Sequence, residues 1–101
     1  MEKFVYHIGF EKKGLMRFIS HLDLLRLFQR AARRANLPLS LSEGFNPHPK
    51  IRIEPALKLG IESSSLKVYL CLKERLEGPA VKRMLEKELP QGIRLDSMEV
   101  E

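Results

Sequence analysis

The side chains best suited to chemistry fall in two places. His21 and Asp23 stand at the head of a helical stretch, and Glu43, Asn46, His48 and Lys50 lie within Ser42-Glu-Gly-Phe-Asn-Pro-His-Pro-Lys50. Histidine exchanges a proton near neutral pH, so His21 and His48 could orient or protonate a phosphate ester, with Lys50 offsetting its charge. These three are the candidate catalytic groups if the chain is an enzyme. The bland alternative is that His48 and Asn46 hydrogen-bond backbone groups and merely hold the loop. No metal site is expected, because His21 and Asp23 are two apart on a helix and diverge, whereas a helical ligand pair is spaced i, i+4. Asp23 reads better as part of a helix cap.

The loop itself is built to be stiff. Gly44 can take positive φ without a Cβ clash, while Pro47 and Pro49 fix their own φ and push Asn46 and His48 away from the helical region. Its fourteen-residue approach from Leu37 to Lys50 is long enough to return along the preceding helix. We therefore expect His48 and Asn46 to meet His21 in one polar site, with Glu43 and Lys50 at its rim.

A second kind of chemistry is electrostatic. Arg26, Arg30, Arg33 and Arg34 lie opposite the apolar stripe of one helix, and four guanidiniums within three turns suit a phosphate backbone as well as they suit an ordinary solvated face. Lys50, Arg52 and Lys58 carry positive charge from the loop into the following strand. His7 and Tyr69 could stack bases if they face the open side of a sheet. The candidate binding residues are thus Arg26, Arg30, Arg33, Arg34, Glu43, Asn46, His48, Lys50 and Arg52.

The elements that must position these groups are legible from periodicity. Phe4, Tyr6, Ile8 and Phe10 alternate with Val5, His7 and Gly9, which predicts a strand with its even side on the core. Leu15 to Ile19 is either extended or the entry to a helix. Ser20 followed by Asp23 starts a helix from His21 to Asn36, with Leu24, Leu25, Phe28, Ala31, Ala32 and Ala35 buried, Asn36 as left-handed cap and Pro38 as stop. A second strand runs from Ile51 to Leu59, placed at an edge or bulged by Pro55. Gly60 to Ser65 reads as a polar turn, and Leu66 to Lys73 as a third strand. Pro79 opens a second helix, Ala80 to Leu89, that ends before Pro90. Ile93 to Val100 closes as a fourth strand, and its apolar parity slips between Leu95 and Met98, which predicts a bulge near Asp96 and Ser97.

The order β-α-β-β-α-β with right-handed crossovers predicts an α+β, ferredoxin-like sandwich: an antiparallel sheet with two helices on one face. The 101 residues suffice for a single domain, 1–101, and 44% apolar with 31% charged residues argues a folded chain. No run is long and apolar enough to span a bilayer and no signal-peptide core is present, so the expected compartment is the cytoplasm. One cysteine, Cys71, makes no internal disulfide and cannot hold an iron–sulfur cluster, so no cofactor is expected. The net charge of +5 favours an anionic partner such as RNA.

Two passages, Phe18-Ile-Ser-His-Leu-Asp-Leu-Leu-Arg26 and the Ser42 to Lys50 loop, together with Gly60-Ile-Glu-Ser63, resemble the radical SAM-linked protein family. This is a bacterial domain of unassigned function, fused to or encoded beside cobalamin-type radical S-adenosylmethionine (SAM) proteins. The resemblance implies a short version of that family and a radical SAM protein as partner. The leading expectation is a non-catalytic RNA-binding or substrate-presenting accessory module. Its rivals are a metal-independent endoribonuclease similar to CRISPR repeat-processing proteins and a protein-binding adaptor.

Overall fold

The computed structural model describes residues 4–54 and 63–101. Strand β1 (Phe4–Lys12) is followed by a short 3-10 helix (Gly14–Phe18), helix α1 (His21–Arg34), strand β2 (Ile51–Glu54), strand β3 (Ser63–Leu72), helix α2 (Gly78–Glu86) and strand β4 (Ile93–Val100). The strands form one antiparallel sheet in the order β2-β3-β1-β4. This is the predicted ferredoxin-like arrangement.

Parity decides which side of the sheet carries the core. Tyr6, Ile8 and Phe10 of β1 and Leu66, Val68, Leu70 and Leu72 of β3 are buried with Leu24, Phe28, Ala31 and Ala32 of α1 and Val81 and Leu85 of α2. Both helices therefore cover the same face. Phe10 and Phe28 meet edge to face at 4.9 Å between ring centres, a geometry worth about 0.5–1.5 kcal/mol beyond the area it buries.

The helix signals act as the sequence implies. Ser20 Oγ accepts from the Asp23 N–H at 3.1 Å, capping α1. At the other end Asn36 has φ 59°, with Leu37 N–H donating to Ala32 and Asn36 N–H to Arg33, the two bonds of a Schellman termination. Helix α2 begins at Gly78, with Pro79 in its first turn, and stops at Glu86, three residues short of the predicted Leu89. Residues Lys87 to Leu89 continue as turns, with Leu89 N–H donating to Glu86.

The sheet corrects one boundary. Ser63 to Ser65 belong to β3 rather than to a turn, because β1 runs on to Lys12, which pairs with Ser63, and ladder bonds come from the main chain whatever the side chain. Strand β2 is an edge strand, as Pro55 suggests, and its described part ends at Glu54. The predicted continuation through Leu57, Lys58 and Leu59, and most of the Gly60 to Ser63 motif, lie outside the described residues.

The predicted bulge is present. Gly9 pairs with Ser97 and Phe10 with Leu95, leaving Asp96 without a counterpart. That one extra residue returns Met98 and Val100 to the core side of β4, where both pack against the core.

Candidate nucleic-acid interface

Because the helices share one face, the odd-numbered residues of β1 and β3 meet on the other. Among the described residues no further element covers it. The register places Arg52 of β2 beside Tyr69 of β3, Tyr69 beside His7 of β1, and His7 beside Glu99 of β4, so these four form one row across the sheet. The Arg52 guanidinium lies 4.5 Å from the Tyr69 ring centre, and the His7 ring meets Tyr69 nearly edge-on at 4.5 Å. Arg52 Nε is also 3.3 Å from Glu54 Oε1, and His7 Nε2 is 2.7 Å from Glu101 Oε2. The row thus sets the Arg52 guanidinium over the Tyr69 ring and the His7 imidazole edge-on to it, with a carboxylate at each end.

Beside it, Val5, Lys50, Ile51, Cys71 and Glu101 join Arg52 and Tyr69 around a shallow depression of about 310 Å³. Charges of both signs share the face: Lys50, Arg52 and Glu54 stand on the β2 side, Arg94, Glu99 and Glu101 on the β4 side.

The Ser42 to Lys50 loop grows from this same edge. Ser40 N–H donates to Cys71 at 2.8 Å, Lys50 N–H to Ser40 at 2.9 Å, and Cys71 N–H to Lys50 at 3.1 Å, so the chain leaves and rejoins β3 at one point. Between these bonds residues 41–49 form a hairpin arm: Leu41 pairs with Pro49, Ser42 N–H donates to His48 C=O at 2.8 Å, and Ser42 Oγ accepts from His48 N–H at 3.1 Å. Gly44 has φ 121°, the turn it is needed for, and Phe45 is fully exposed at the tip. His48 contributes its main chain to this brace, and its side chain is exposed, as are Glu43 and Asn46.

The expected meeting of His48 and Asn46 with His21 does not occur. The arm is rooted at the level of Cys71, which pairs with Val5, whereas α1 starts beyond Lys12, seven residues farther along β1. At about 3.3 Å per residue those levels are roughly 23 Å apart. The physical reason is that the residues before and after the arm find strand partners on β3 and close it at its base, so no length is left to run back along α1.

The α1 arginines stay on the helical side of the molecule. Arg26, Arg30, Arg33 and Arg34 are all exposed, with Arg26 3.6 Å from Asp23. They and the loop residues are therefore not one surface. Glu99 and Glu101, which complete the row, were missed by sequence reasoning, although the alternation of β1 and β4 would have placed them opposite His7 and Val5 once the bulge was allowed for. Among the described residues no three His, Cys, Asp or Glu side chains gather as a metal site, and no helix is long and apolar enough to cross a membrane.

The fold and this face define a small α+β protein of ferredoxin-like architecture whose open sheet face carries aromatic and charged side chains. A family model described as an uncharacterized protein conserved in bacteria (DUF2344) matches residues 6–100, and the chain belongs to that family. No curated protein and no solved structure matches it.

Proposed function

We propose that this protein is a non-catalytic RNA-binding or substrate-presenting module that serves a radical SAM partner enzyme. The row Arg52, Tyr69 and His7 carries the RNA part of this reading, because half-exposed aromatic side chains and a guanidinium on the open side of a ferredoxin-like sheet are groups on which unstacked bases can lie. Lys50 and Arg52 beside the row offer cationic groups for phosphate contacts. The partner rests on the two motifs that resemble the radical SAM-linked family, one of which forms the arm. Phe45 at its tip, flanked by Glu43 and Asn46, is an aromatic anchor of the kind that fills a partner's pocket.

The test is fluorescence anisotropy with a labelled single-stranded RNA of mixed sequence across a salt series. Tyr69→Ala, with folding checked by circular dichroism, should weaken binding by roughly 5- to 150-fold, the equivalent of about 1–3 kcal/mol for one stacked base. Equal affinity for wild type and variant would remove the open face from the reading. Cleaved RNA would instead favour the endoribonuclease.

A further inference from the structure

We infer that the cleft between α1 and the turn after α2 is a binding site for a phosphomonoester. Arg30 and Arg34 line it from the last turns of α1, Lys87 and Glu88 from the end of α2, and Leu27, Ala31, Leu89 and Pro90 form its apolar walls; its volume is about 380 Å³. Among the described residues none of the three cationic side chains has an ion-pair, hydrogen-bond or ring partner. Three like charges drawn to one concavity repel one another, and among the described residues that line it Glu88 alone is acidic. Counting Arg30, Arg34 and Lys87 against Glu88 gives three minus one, a net +2. A phosphomonoester carries about −1.5 to −2 at neutral pH and has three terminal oxygens, which suits two guanidinium forks and an ammonium better than a singly charged carboxylate would.

The cleft is larger than a phosphate group needs. The remaining space, walled by Leu27, Ala31, Leu89 and Pro90, accepts a ribose or base against apolar surface. The shared chemistry therefore has two sources, a free mononucleotide or the 5′-phosphorylated end of an RNA. The site is on the helical side of the sheet, so it stands or falls independently of the open face.

The experiment is an amide chemical-shift titration of the full chain with AMP, with adenosine, and with one short RNA bearing either a 5′-phosphate or a 5′-hydroxyl. The proposal expects saturable shifts within residues 27–34 and 87–89 for a phosphomonoester ligand and none there for adenosine or the 5′-hydroxyl RNA. Shifts with AMP assign the source as a free nucleotide, and shifts with the 5′-phosphorylated RNA alone assign it as an RNA end. The double variant Arg34→Gln, Lys87→Gln should raise the apparent Kd at least about tenfold, the equivalent of about 1.4 kcal/mol, with the fold intact. Shifts that do not depend on the phosphate, that map elsewhere, that are absent with both phosphorylated ligands, or that persist unchanged in the folded double variant overturn it.

Discussion

Tyr6 and Tyr69 lie on the two central strands and do opposite work because they face opposite sides of the sheet. Tyr6 is fully buried, and its hydroxyl donates to Leu76 C=O at 2.6 Å while accepting from Leu76 N–H at 2.7 Å. It thereby ties the connection between β3 and α2 to the core. Tyr69 is half-exposed and spends its ring on Arg52 and His7. Tyr6→Phe keeps the ring and removes both hydrogen bonds, so urea unfolding should show a stability loss of about 1–3 kcal/mol with an unchanged denaturant slope. A midpoint equal to wild type would mean that Leu76 finds water at no cost.

At the scale of the element, the arm matters most. It is fastened by main-chain bonds at its base and by the Ser42 hydroxyl, while the imidazole of His48 is exposed. His48→Gln should leave the melting temperature within about 2 °C of wild type, as substitutions at exposed positions usually stay within ±0.5 kcal/mol. A large drop would show that the side chain, and not the main chain, holds the arm. The turn before β4 is less tolerant. Gly92 has φ 100°, and a Cβ there would come within 2.9 Å of Lys13 O and 2.7 Å of Met16 Cγ. The close approach that glycine permits there lets the 3-10 helix pack on the start of β4, where Lys13 N–H donates to Gly92 C=O at 2.9 Å. The entry to α1 is positioned from there.

At the scale of the whole molecule, positive charge is divided between two sides of the sheet: the α1 arginines and Lys87 on one, Lys50 and Arg52 on the other. Changing Arg26, Arg30 and Arg33 together to Gln lowers the formal net charge from +5 by three, to +2. Melting should change little, because exposed charges contribute little to folding. RNA retention should weaken and its dependence on salt should flatten, through the lost long-range field of the positive charge. Unaltered affinity with an unaltered salt slope would favour a protein-binding adaptor over an RNA module.

Much of this architecture was written in local patterns. The alternation from Phe4 to Phe10 chose the buried side of β1, Ser20 and Asn36 set the ends of α1, and the parity slip near Asp96 announced the bulge, because each depends on residues only a few positions apart. The candidate site was less legible. His7, Tyr69 and Arg52 could each be suspected, but they become one row only through register, which is set when the whole apolar set of β1, β3 and the helices is buried at once. The arm shows the same limit: its two prolines and glycine promised a stiff excursion, yet only pairing of its base with β3 decided that it stands at the β2 edge, far from His21. Lys87 meets Arg30 and Arg34 for the same reason, since sequence periodicity describes each helix alone and only packing on a common sheet brings their ends together.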